Sequence, residues 1–93
     1  MPRMWWTELA EESWDALFEP HRRQGPLLRA IELLDEIEDD PAAAWEKAQE
    51  VRLPGVTRPV RRTLVELGTP SLWIYWSLDT RRGPIILDFL FDD

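Results

Sequence analysis

Five residues in the second half of this 93-residue chain could act together on a phosphodiester: Arg61, Arg62, Tyr75, Arg81 and Arg82. Cleavage through a neighbouring 2′-hydroxyl needs positive charge at the phosphate and proton transfer at two oxygens. Arginine supplies the first as a permanently charged fork whose geometry matches phosphate. A phenol can supply the second when its surroundings tune it for proton transfer. The same residues admit a plainer reading, an aromatic sheet face with arginines that keep an edge strand soluble. Spacing alone leaves the two readings open.

Other chemistries have little to stand on. There is no cysteine, which removes disulfides and thiolate catalysis and fits a cytoplasmic protein. The lone histidine, His21, falls in a polar loop and offers neither a triad nor a transition-metal set. The acidic run from Glu32 to Asp40 lacks the alternating ligands and central glycine of a calcium loop, and reads as a solvated helix face. Four scattered glycines form no phosphate cradle. No metal and no cofactor is expected. No apolar run approaches the roughly 20 residues of a membrane span, and the acidic residues after Trp6 do not suit a signal peptide.

The net charge of −7 is unevenly spread. Residues 1–50 carry thirteen acids against five bases, whereas residues 51–93 carry five acids against six bases. Arg52, Arg58, Arg61 and Arg62 follow one another with no acid between them. A local basic strip can therefore guide docking on an acidic protein.

The elements that must position these residues are helices first and strands second. Residues 3–9 are a candidate short strand with Trp5 and Thr7 on one side and Trp6 and Glu8 on the other. A helix over 10–19 carries Trp14, Leu17 and Phe18 at i, i+3 and i+4. A second helix begins at Pro26, with Leu27, Ile31, Leu34 and Ile37 as its apolar stripe and Leu28, Ala30 and Leu33 widening it. Asp40 and Pro41 read as the cap and first position of a third helix over 42–51, with Trp45 and Ala48 inward. Residues 52–59 are irregular.

Residues 60–67, 72–79 and 85–91 are strand-like and separated by Gly68-Thr69-Pro70 and by the 79–84 turn. Such short connections force antiparallel neighbours. Alternation places Thr63, Val65, Leu67, Leu72, Ile74, Trp76, Leu78, Ile85, Leu87, Phe89 and Phe91 inward, against the helices. The uncovered face then carries Arg62, Leu64, Glu66, Trp73, Tyr75, Ser77, Asp79, Ile86, Asp88 and Leu90. Ninety-three residues make one domain over 1–93, of α+β class, with helices on one face of a small, mainly antiparallel sheet.

This order, with Arg62-Thr63-Leu64-Val65-Glu66-Leu67 leading to Leu72-Trp73-Ile74-Tyr75-Trp76 and then Gly83-Pro84-Ile85-Ile86-Leu87-Asp88-Phe89, resembles the RelE/ParE toxin superfamily, in particular its HigB-like branch. Trp6-Thr7-Glu8-Leu9 and the following helix are similar to that family's opening strand and helix. The resemblance implies a toxin of a type II toxin–antitoxin pair that cuts mRNA on the ribosome through the concave sheet face, with a cognate antitoxin as partner. Its ParE members instead poison DNA gyrase. Carried over residue by residue, it reaches Arg62 and Arg61, Tyr75, and the hairpin pair Arg81 and Arg82. The chain departs from the family in being acidic, with the single lysine Lys47. That departure keeps open a non-catalytic, tryptophan-rich binding module on the same fold, since Trp and Arg anchor protein interfaces.

Overall fold

The computed structural model describes residues 4–18, 25–65 and 71–92. Its elements are β1 (Trp5–Trp6), α1 (Glu8–Phe18), α2 (Gly25–Asp39), α3 (Pro41–Lys47), β2 (Gln49–Val51), β3 (Val60–Val65), β4 (Ser71–Asp79) and β5 (Gly83–Asp92). The five strands form one sheet in the order β1-β5-β4-β3-β2. β2, β3, β4 and β5 pair antiparallel, and only the short β1 runs parallel to its neighbour β5. The α+β class and the mainly antiparallel sheet are as expected. The His21 loop, Glu66, Leu67 and the Gly68-Thr69-Pro70 turn lie outside the described residues, as do the side chains of Leu17, Phe18 and Leu27.

Thr7 decides where the first strand stops. Its Oγ1 accepts from the Ala10 N–H at 3.0 Å and donates to the Leu87 carbonyl at 2.8 Å. One hydroxyl thus caps α1 and ties it to β5, so the helix begins at Glu8, inside the stretch expected to be extended. The acids Glu8 and Glu11 sit in the first turn, where the helix dipole favours them.

Asp40 behaves as its position next to Pro41 predicts. Its Oδ1 accepts from the Ala43 N–H at 3.2 Å and Pro41 opens the helix. Asp40→Ala is expected to lower stability by about 1 kcal/mol, read from urea denaturation; no change would mean that the cap is redundant with Pro41.

The same helix ends earlier than its apolar spacing suggests. Ala48 is already extended, at φ −77° and ψ 153°, and Gln49–Val51 forms β2 against Val60–Arg62. A sheet edge with open hydrogen-bonding groups outweighs the modest propensity of three residues to continue a helix.

On α2 the buried stripe is Ala30, Leu33, Leu34 and Ile37. Ile31 is 41% exposed and Leu28 66% exposed, so the expected stripe is rotated and leaves two aliphatic side chains outside the core. In the sheet, the inward set of β4 and β3 matches expectation: Leu72, Ile74, Trp76 and Val65 are fully buried. β5 departs from simple alternation. Tyr75 pairs with Asp88 but Trp76 pairs with Ile86, which leaves Leu87 as the extra residue of a bulge. The side chains therefore change face there. Pro84 and Ile86 are buried, where Ile85 and Leu87 were expected to be; Phe89 is buried as expected, whereas Phe91, also expected inward, is 42% exposed.

The core is one cluster in which α2, α3 and α1 meet the inner sheet face. Trp76 is its largest fully buried side chain; its Nε1 donates to Thr63 Oγ1 at 2.9 Å and its ring meets Trp45 edge-on at 5.2 Å. A second aromatic group joins Trp6, Trp14 and Phe89, with ring centroids 5.1–5.4 Å apart. Four of the six tryptophans are thus core residues, which leaves Trp5 and Trp73 for the other face.

Candidate functional site

Strand register lines up four polar residues across the uncovered face. Gln49 of β2 stands opposite Arg62 of β3, Arg62 opposite Tyr75 of β4, and Tyr75 opposite Asp88 of β5. Cross-strand neighbours are close enough for their side chains to meet. The Arg62 Nε donates to Gln49 Oε1 at 2.7 Å and its Nη1 donates to Tyr75 Oη at 3.2 Å. The guanidinium lies 3.9 Å from the centre of the Trp73 ring, one residue row further along the sheet. Hydrogen bonds on one side and a cation–π contact below hold the charge in a single place.

The next row is apolar. Trp73 stands between Leu64 and Leu90, which are 38% and 45% exposed. Trp73 Nε1 is buried with no hydrogen-bond partner, a donor left over on this face. At the β5 end, Asp88 accepts from Ser13 Oγ of α1 at 2.5 Å and from the Phe89 N–H at 2.8 Å. Its carboxylate is therefore turned to α1 and does not neutralise Arg62. Ser77, expected on this face, is only 3% exposed and donates to the Pro59 carbonyl at 2.7 Å.

The five residues singled out from the sequence are only partly brought together. Arg62 and Tyr75 touch. Arg61 points to the opposite side of the sheet, as alternation requires. There its Nη1 donates to the Trp45 carbonyl at 2.6 Å, its guanidinium lies 4.7 Å from the Trp45 ring centre, and it pairs with Glu50 at 3.4 Å. Arg61 secures α3 to β3 and belongs to no phosphate site with Arg62. Arg81 and Arg82 sit in the turn that follows Asp79, the end of β4, which is four residues beyond Tyr75 and so roughly 13 Å along the strand at about 3.3 Å per residue.

That turn is set by Asp79, whose Oδ1 accepts from the backbone N–H groups of Arg81 at 2.7 Å and Arg82 at 2.9 Å. These two bonds, that of Arg82 foremost, hold the Asp79 carboxyl below the usual carboxylate range, and the charges of Arg82 and Arg58 add to the effect. A carboxyl depressed in the folded state adds stability at pH above its unfolded value and loses it as the pH falls through the folded value. Asp79→Asn keeps an acceptor for the turn but cannot titrate, so its stability should fall less steeply on acidification than that of the parent chain. Equal slopes in acid-range denaturation would remove this role.

The remaining arginines of the basic strip gather elsewhere. Arg52, Arg58 and Arg61 line a cleft of about 1010 Å³ between the β2–β3 loop and the β4–β5 turn, together with the apolar Leu53, Val56 and Leu78. The strip that is continuous in sequence is thus split in space between the open face, the α3 side and this cleft.

Gln49 is the member of the site that sequence reasoning missed, because its strand was assigned to the preceding helix. The signal available was Pro54-Gly55, a turn pair that brings the chain back on itself; Gly55 has φ +78° there. Among the described residues no helix is long and apolar enough to cross a membrane, and no cluster of three or more His, Cys, Asp or Glu could hold a metal. Compared with known proteins, the chain matches no family model, no curated protein and no solved structure.

Proposed function

We propose that the protein is a toxin-like component of a type II toxin–antitoxin pair, and that its uncovered sheet face cleaves mRNA on the ribosome. The observation that carries this reading is the Arg62–Tyr75 hydrogen bond on that face, beside the half-buried ring of Trp73. Arg62 supplies a fixed cation for a phosphate, Tyr75 a phenol for proton transfer, and Trp73 an aromatic surface on which a base can stack once Arg62 moves to the phosphate. Gln49 orients Arg62 by accepting from its Nε. A cytoplasmic antitoxin that covers the same face would be its natural partner.

A second reading has its own observation. Arg62 is the arginine that this face displays next to Tyr75, and it stands beside Trp73, Leu64 and Leu90. An aromatic and aliphatic row with one arginine is also the composition of a protein-binding hot spot. On that reading the face holds a protein and cleaves nothing.

Purified protein added to ribosomes programmed with a defined mRNA separates the two. Discrete cuts in the message that disappear with Arg62→Ala support cleavage. Full-length translation and intact message at high protein concentration overturn it and leave the binding face.

A further inference from the structure

Among the described residues the chain carries two surfaces of opposite character. The first is the outer face of α2. Leu28, Ile31, Glu32, Asp35 and Asp39 share that face by helical spacing, opposite the buried Ala30, Leu33, Leu34 and Ile37. α2 as a whole has five carboxylates against one arginine, Arg29, which pairs with Glu32 at 3.1 Å. No basic residue stands in its last turn. Leu28 and Ile31, at 66% and 41% exposed, make this an acidic face with an aliphatic ridge.

The second surface is the cleft between the β2–β3 loop and the β4–β5 turn. Its arginines are Arg52, Arg58 and Arg61, and its acid, Glu50, is engaged by Arg61. Its apolar lining includes Leu53, Val56 and Leu78. Cations around an apolar floor are the complement of carboxylates around an aliphatic ridge. An RNA backbone would satisfy the arginines but would leave that floor wet.

We infer that the outer face of α2 docks into the arginine cleft of a second copy of this chain. The contact is heterologous, since two different patches meet, and each bound copy still offers one free patch. Association is therefore expected to continue beyond a dimer at low salt, unless the rotation closes a ring. Steering by opposite charges makes it strongly dependent on ionic strength. The inference is independent of any activity on the Arg62 face.

The test is sedimentation velocity of the full chain over a concentration series. Raising the ionic strength from about 0.01 M to about 0.15 M shortens the screening length from roughly 30 Å to roughly 8 Å. The mass-average should exceed the monomer at low salt and fall with added salt. A wild-type chain that stays monomeric at low salt and high concentration overturns the proposal without recourse to any variant. Two charge reversals then locate the contact: Arg52→Glu with Arg58→Glu in the cleft, and Glu32→Lys with Asp35→Lys on α2. Each double variant alone should be monomeric, with unchanged circular dichroism. An equimolar mixture should associate again, because each then offers the other a complementary pair of patches. Association by either double variant alone, or a mixture that stays monomeric, overturns the assignment of these two surfaces.

Discussion

On the proposed cleavage of ribosome-bound message, replacing Arg62 by alanine is expected to lower that cleavage by about 100- to 1,000-fold, the usual loss when one fixed charge-stabilising donor is removed. The fold should survive. Arg62 reaches Gln49, Tyr75 and the Trp73 ring from the outer side of the sheet, and an exposed cation–π contact is worth only about 0.5–1 kcal/mol. Its neighbour in sequence should behave in the opposite way. Arg61→Ala removes a charged hydrogen bond to the Trp45 carbonyl and the contact with the Trp45 ring. It should cost about 1.5–3 kcal/mol of stability, in the range of hydrogen bonds to charged groups, and leave cleavage by the folded fraction unchanged. Tyr75→Phe separates proton transfer from packing: the ring stays, the hydroxyl goes, and a loss of about 100-fold or more is expected if the phenol moves a proton. Cleavage rates and urea midpoints measured on the same three variants check the whole pattern. Equal effects of Arg61→Ala and Arg62→Ala on cleavage would mean that the division of the two arginines between faces has no functional meaning.

The largest effect on stability is expected at Trp76. It is fully buried at the centre of the sheet, bonded to Thr63 and edge-on to Trp45, so it links β4 to β3 and to α3 at once. Trp76→Ala leaves a cavity that flanking strands cannot close, because their spacing is set by backbone hydrogen bonds. The expected loss is about 3–5 kcal/mol. A domain of this size has roughly 5–15 kcal/mol in total, so the variant should be partly unfolded at 37 °C or close to it. Trp76→Phe keeps most of the apolar volume and should cost clearly less. Urea denaturation of both variants measures the difference; a loss under about 1 kcal/mol for the alanine variant would show that the core is organised around some other residue.

Much of this architecture is written locally. Asp40 with Pro41 marks a helix start because a carboxylate beside a proline can do little else as well there, and Asp40 caps α3. The alternation in Leu72, Ile74 and Trp76 needs only period two and one buried face, and all three are fully buried. The same alternation puts Arg62, Trp73 and Tyr75 together on the uncovered side, which is why all of the candidate site but Gln49 is legible in the sequence by itself.

What the tertiary structure decided are the places where a distant segment overrides a local preference. Gln49–Val51 looks like the tail of a helix until β3 offers it a hydrogen-bonding edge, and with that pairing Gln49 becomes the residue that orients Arg62. The bulge at Leu87 arises from the register of β4 against β5, so no count along β5 alone could place Ile86 inside. Arg61 and Arg62 are adjacent in sequence and belong to opposite faces, and only the docking of α3 onto Trp76 through Trp45 shows that one of them is structural. Patterns of period two and 3.6 report which way a side chain points. Which partner it meets is set by pairings between segments far apart in the chain.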